Sequence, residues 1–228
     1  MPVMVGAAIF WLLISRASQL PSDQSRRMVA ITISLIVWGV MFSRTFLKIM
    51  DGSFSITEDL PLYMCRLVTW LLPIALILNY RKMQKVLYFW VLGGAFQGTL
   101  TPDISQGFPA MEYIGYFTVH IGLIGVMIYV AVVHRLKIGW PDFWRAFVIA
   151  QFYLLFLIGL NIMMGSNYGY TQVKPAGGSL LDYFGPWPYF LLGAELIMLV
   201  SFLVLMIPFL IKKRALSGAA IRTPGREV

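Results

Sequence analysis

Basic residues fall in every second connection between the long apolar runs of this chain. Arg16/Arg26/Arg27, Arg81/Lys82/Lys85, Arg135/Lys137/Arg145 and Lys212/Lys213/Arg214 form these clusters, and the links between them are acidic or nearly neutral. Such alternation is the charge pattern of a chain threaded back and forth through a bilayer. With 228 residues, 59% of them hydrophobic and 12% charged, the chain falls outside the composition of a soluble globular domain. The expected fold class is therefore all-α: a polytopic membrane helical bundle of about seven transmembrane helices.

The spans are expected near residues 1–20, 28–48, 60–79, 86–100, 112–133, 143–164 and 187–211. No Lys or Arg precedes Arg16, so the first run lacks the basic start of a cleaved signal peptide and reads as a short span. The positive-inside rule puts the basic connections in the cytoplasm, with the N-terminus outside and the C-terminus inside. The domain division is then a single transmembrane domain at 1–211 and a basic cytoplasmic tail at 212–228. The net charge of +8 is distributed for membrane orientation, and nucleic acid is not an expected partner. Residues 165–186, rich in Gly, Asn, Tyr and Pro, are too polar to cross and are expected to fold over the bundle end as a cap. Gly93, Gly94 and Gly98 permit close helix contact in the fourth span. No convincing internal repeat supports an inverted-repeat transporter.

Cys65 is the only cysteine, which excludes an intrachain disulfide and leaves too few ligands for a Cys-based metal centre. No cofactor is expected. Pro61 suits the first turn of a helix, so Cys65 is expected about one turn in, where the helix dipole and neighbouring Arg66 favour a thiolate. The plainer reading of a lone cysteine is a small apolar packing residue. His120 and Glu195 lie about 12 Å into spans that begin on the same side, by the helical rise. Gln97, Arg44, Arg66 and Asp103 are expected near that level, and polar groups at membrane depth mark a bundle interior or a cavity. Each has a structural reading too. Glu195 can pair with Arg44 or Arg66; Gln97, Gln151 and Asn161 can bond between helices; Asp103 can fix a turn.

A thiol, an imidazole and a carboxylate at similar depth supply the parts of Cys nucleophile chemistry: an attacking group, a base for its proton and a group that orients the base. Cys65 and His120 are the catalytic candidates, with Glu195 or Asp103 to hold the imidazole. Gln97 or backbone amides of residues 165–169 are candidates for an oxyanion, and Arg66, Arg44, Asn167 and Tyr168 for substrate contact.

Several stretches together resemble the YwaF-type integral membrane protein family: residues 60–65, Tyr88-Phe89-Trp90 with Gly93-Gly94 and Gln97, residues 100–103 with Gly107-Phe108-Pro109, His120, Asn167-Tyr168, and Leu180-Leu181-Asp182 with Gly185-Pro186-Trp187-Pro188. The resemblance covers most of the chain. It implies a relationship to a eukaryotic branch described as a transmembrane acyltransferase that remodels ether phospholipids with a cysteine and a histidine. Cys65 and His120 occupy those two positions by resemblance. Tyr63 departs from the pattern, since members often carry His two residues before the cysteine.

The function expected is a membrane-embedded lipid acyltransferase acting on phospholipids at the outer half of the bilayer. Membrane lipids are its expected partners, and a bacterial plasma membrane its expected location. With water as acceptor, the same constellation is a lipid hydrolase. The alternatives are a small-molecule transporter, a ligand-binding membrane protein or a scaffold subunit whose basic tail binds anionic lipid. A retinal Schiff base in the last span is excluded, because no Lys precedes Lys212 there.

Overall fold

The computed structural model describes residues 2–176 and 178–221, and among these every regular element is helical. In chain order the helices are α1 (Pro2–Arg16), α2 (Asp23–Met50), α3 (Met64–Ile77), α4 (Arg81–Trp90), α5 (Phe96–Leu100), α6 (Met111–Val133), α7 (Trp140–Met164) and α8 (Tyr189–Ile221). A π turn, Val91–Ala95, joins α4 directly to α5. Four described helices are long and apolar enough to cross a membrane: α2, α6, α7 and the Tyr189–Lys212 part of α8. α1 and α3 are shorter apolar helices, and the α4–α5 path is interrupted by its π turn.

α6 is the central helix. Its apolar window is 56% buried, against 28%, 17% and 22% for those of α2, α7 and α8. Small residues explain how it accepts neighbours on more than one side. A side chain at Gly122 would run into Val37 of α2, and one at Gly125 into Phe10 of α1. Backbones approach closely at such positions, and packing replaces the hydrophobic drive that lipid surroundings remove.

Polar bonds also fix the helices to one another. Tyr88 donates to the Leu205 carbonyl (3.1 Å), Trp90 Nε1 to the Ala146 carbonyl (3.0 Å) and Tyr129 to the Arg26 carbonyl (3.2 Å). Asp142 accepts from Lys85 of α4 (3.0 Å), from Arg145 of its own helix (2.9 Å) and from the Gly139 amide that precedes α7 (3.1 Å). One buried carboxylate thus caps α7 and ties it to α4.

The elements differ from expectation in four places. α3 begins at Met64 with Tyr63 as its cap, so Pro61 lies in the preceding turn and Cys65 is the second helical residue. The reason is local: Tyr153 donates to the Leu62 carbonyl (2.5 Å), which a longer helix would use itself, and Tyr168 holds the Leu60 amide (3.1 Å) in the loop. α4 begins at Arg81, ahead of the expected 86, and Gly93-Gly94 sits in the π turn. α8 continues through 212 to Ile221, so the start of the expected tail is helical, while residues 222–228 lie outside the described residues. Asn161 bonds to the loop after its own helix, as described below, and not to another helix.

Candidate functional site

A cavity of about 820 Å³ opens at the end of the bundle where α2 and α5 finish and α3 and α6 start. Cys65, His120, Gln97, Asp103, Arg44, Arg66 and Asn167 all line it. Glu195 and Tyr168 do not belong to its wall. Part of that wall is apolar, with Met41, Met64, Met198 and Phe202 among its residues, and part is charged.

Cys65 is half-buried against the core, and its carbonyl accepts from Thr69 (2.7 Å). The first capping amide bond of α3 runs from Leu67 to the Tyr63 carbonyl (2.9 Å). The amides of Met64, Cys65 and Arg66 come before it, in the turn where helix N–H groups have no intrahelical acceptor. Arg66 is engaged elsewhere. Its guanidinium donates to the Glu58 carbonyl (2.8 Å), lies 3.8 Å from Asp59 and sits 5.1 Å from the centre of the Tyr63 ring. It therefore organises the loop before α3, a different task from the expected activation of the thiol.

His120 is 7% exposed and stacks on Tyr116, with ring centres 4.0 Å apart. Its Nδ1 is 2.9 Å from the Tyr116 carbonyl one turn back. A carbonyl only accepts, so Nδ1 carries the proton of the neutral ring and Nε2 is left with a free lone pair. The orienting group is thus a backbone carbonyl, in place of the carboxylate expected at Glu195 or Asp103. Glu195 instead accepts from Gln151 (2.5 Å), and Asp103 accepts from Tyr170 (2.7 Å). Nε2 faces Gly98: a Cβ there would stand 2.9 Å from it and 3.2 Å from the Tyr116 hydroxyl. That hydroxyl donates to the Gly98 carbonyl (2.8 Å), joining α6 to α5 just beyond the π turn. Helices often carry a π turn where a side chain must be re-aimed at a functional site.

Asn161 builds the roof. Its amide donates to the Tyr168 carbonyl (2.8 Å) and Thr171 (2.7 Å), and its Oδ1 accepts from Ser166 (2.7 Å) and the Tyr168 amide (2.9 Å). Fully buried Tyr168 then reaches across to donate to the Ile56 carbonyl (2.7 Å) and accept from the Leu60 amide (3.1 Å). Tyr63 lies against Tyr168 and Tyr170, at 5.3 and 5.5 Å between ring centres. Burial, with the bond given to Asp103, pushes the Tyr170 phenol up and keeps it a donor. Tyr168 is thus a structural pin, and Asn167 spends its amide on Gln172 and Val173 of its own loop. The amides of Ser166 and Tyr168 are committed to Asn161, which removes them as oxyanion donors.

Asn161→Ala strands several of these buried groups at once. A cost of about 2–4 kcal/mol is expected, since each unsatisfied buried group costs roughly 1–3 kcal/mol. Thermal unfolding in detergent should show the lower Tm, and limited proteolysis should cut the 165–179 loop faster.

Asp59 anchors the loop on the other side. It is 4% exposed, accepts from Lys48 (2.6 Å) and from the Ser55 amide (3.0 Å), and faces Arg66. Burial raises its carboxyl, but the Lys48 and Ser55 bonds and the Lys48 and Arg66 charges outweigh burial, and it ends below its ordinary value. A depressed carboxyl stabilises the fold above the unfolded value of about 3.9 and loses that stabilisation as pH falls through the folded value. Tm is therefore expected to fall on acidification below about pH 4 in wild type, and to fall less in Asp59→Asn, which starts lower.

Arg44 stands apart from these pairs. It lines the cavity, and among the described residues its guanidinium makes no ion pair or hydrogen bond. No group of His, Cys, Asp and Glu among the described residues is arranged to hold a metal ion.

Among models of known protein families, one described as the TMEM164 family aligns with residues 1–206. No curated protein and no solved structure matches the chain.

Proposed function

We propose, from the premise that the chain belongs to the TMEM164 family, that it is a membrane-embedded, transacylase-like enzyme which moves an acyl chain between phospholipids through a thioester on Cys65. The observation that carries this reading is the state of His120: Nδ1 is tied to the Tyr116 carbonyl, and Nε2 is left as the basic nitrogen of a ring that lines the same cavity as the thiol. The resemblance to a cysteine/histidine acyltransferase branch supports the same pair.

In the first half-reaction His120 Nε2 takes the Cys65 S–H proton as Sγ attacks the ester carbon of a donor phospholipid. The carbonyl oxygen becomes an oxyanion, and the unpaired amides at the start of α3 are its natural donors. Collapse breaks the C–O bond; the lysophospholipid oxygen leaves with the proton held on Nε2. In the second half, Nε2 takes the proton of an acceptor lysolipid hydroxyl, whose oxygen attacks the thioester. The C–S bond breaks and the thiolate recovers the proton. No oxidant, metal or activated co-substrate is needed, because the energy of one ester is carried into the next.

The walls suit such a substrate. Met41, Met64, Met198 and Phe202 offer apolar contact for a chain, and Arg44 offers an uncommitted cation for a phosphate. The orientation that goes with this reading has seven passes, the cavity at the outer face and the C-terminus in the cytoplasm, in a bacterial plasma membrane. Its support is the basic-link pattern, with four long spans joined by two shorter apolar helices and the interrupted α4–α5 path.

The test is a transfer assay in nanodiscs with a phospholipid labelled in one acyl chain and an unlabelled lysolipid. Label should appear in the new diacyl lipid. Labelled fatty acid alone, with added lysolipid ignored, would identify a hydrolase; no movement of label from any phospholipid class would end the enzymatic reading.

A further inference from the structure

A second cavity, of about 490 Å³, lies at the opposite end of the bundle, where α2 and α4 start and α3 and α6 finish. Four arginines line it, Arg26, Arg27, Arg81 and Arg135, with His134 and Asn79. Its one carboxylate, Asp23, is taken by Arg26 at 2.9 Å. Arg26 also donates to the Ala17 carbonyl (3.1 Å), and Arg81 leans on Gln84 (3.4 Å). Arg27 and Arg135 have no side-chain partner among the described residues. Behind its wall, Arg27 Nε and His134 Nε2 are buried without a hydrogen-bond partner. Orientation charges at a membrane surface normally stay solvated, each on its own. Here four of them converge on one concavity that holds a single carboxylate.

We infer that this cavity binds a phosphate-type anion, whose oxygens accept from the guanidinium groups of Arg27 and Arg135 and whose charge offsets theirs. Guanidinium groups favour this chemistry, because their planar N–H pairs match phosphate oxygens. The phosphate can belong to an anionic lipid headgroup or to a soluble phosphate. The site is separate from the Cys65 cavity and does not depend on its chemistry.

Purified full-length protein in phosphatidylcholine nanodiscs is titrated with inorganic phosphate and pyrophosphate, read as a rise in Tm. In a second arm, nanodiscs containing phosphatidic acid are compared by retained lipid in native mass spectrometry. Wild type should bind in at least one arm; retention of phosphatidic acid alone identifies a lipid headgroup, and a Tm rise with free phosphate identifies a soluble anion. The double variant Arg27→Gln/Arg135→Gln should weaken that binding about tenfold or more, as expected for losing charged donors. Lys137→Gln, which removes a charge at the same end but outside the cavity wall, should bind as wild type does. Single variants Arg27→Gln and Arg135→Gln give the same reading where the double variant does not insert. No binding by inserted wild type in either arm, or an equal loss in Lys137→Gln, would overturn the site.

Discussion

On the proposed reading, Cys65→Ser and His120→Ala should each lower acyl transfer by at least about 10²-fold while leaving the protein inserted and monodisperse. The serine hydroxyl is a far poorer nucleophile than the thiol in front of the same base, and loss of a nucleophile that acts as a unit with its base costs at least about 10³-fold in kcat. Removing the imidazole costs roughly 10²–10⁴-fold, the range for one positioned acid–base group. Cys65 sits at the start of α3, where its only hydrogen bond among the described residues is the one its backbone carbonyl accepts from Thr69, and His120 hydrogen-bonds only to its own helix. Neither change therefore removes a hydrogen bond between helices. Turnover in nanodiscs, beside size-exclusion profiles of the same samples, separates catalysis from folding. Equal activity in wild type and both variants would sink the assignment.

On the same reading, Gly98→Ala should lower activity by about 10²-fold, the usual effect of displacing a catalytic group by an ångström. The added methyl would stand 2.9 Å from His120 Nε2 and 3.0 Å from its Cδ2. Real contacts of a Cβ are longer, so the imidazole has to turn away or the α5 backbone has to shift. Either movement spoils the one nitrogen with a free lone pair. Gly94→Ala is the matched control from the same glycine-rich stretch. Its methyl would meet only Met64 Cγ, at an ordinary 3.8 Å, and activity should stay near wild type. The pair is informative because the two substitutions are chemically identical and differ only in what lies opposite. Similar activity in Gly98→Ala and Gly94→Ala would mean that the position of His120 does not limit turnover.

Span positions follow from apolar length, and α6 and α7 begin within a few residues of where the hydrophobic runs predict. Charge-bearing connections mark the ends of such runs well. The start of α3 was not legible, because Pro61 reads as a helix opener until Tyr153 and Tyr168, remote in sequence, claim the backbone around it. The π turn was hidden for a related reason: Gly93-Gly94 signals close packing, and only the packed neighbours decide that an extra residue is accommodated there.

At the site, the sequence brings out Cys65 and His120 as polar groups at one depth, and both line one cavity. Their orienting partners escape a sequence reading. Glu195 looks like the natural mate of an imidazole, yet it bonds to Gln151, while the Tyr116 carbonyl that holds Nδ1 has no side-chain signature at all. Residue spacing does contain a hint, since Tyr116 and His120 are one helical turn apart and their rings stack. Asn161 likewise reads as interhelical glue by composition. Its four bonds to residues 166–171 make it the post that supports the roof.

The thioester on Cys65 is the central claim, and intact-protein mass spectrometry tests it most directly. Purified protein in nanodiscs is given a phospholipid with a traceable acyl chain, quenched in acid and weighed before and after hydroxylamine. The account predicts a mass increase of one acyl group that hydroxylamine removes, that maps to Cys65, that is absent in Cys65→Ser and that passes to added lysolipid. An unmodified Cys65 in wild type across several phospholipid classes, with His120→Ala indistinguishable from it, would contradict the account and leave the cavity as a site of non-covalent ligand binding.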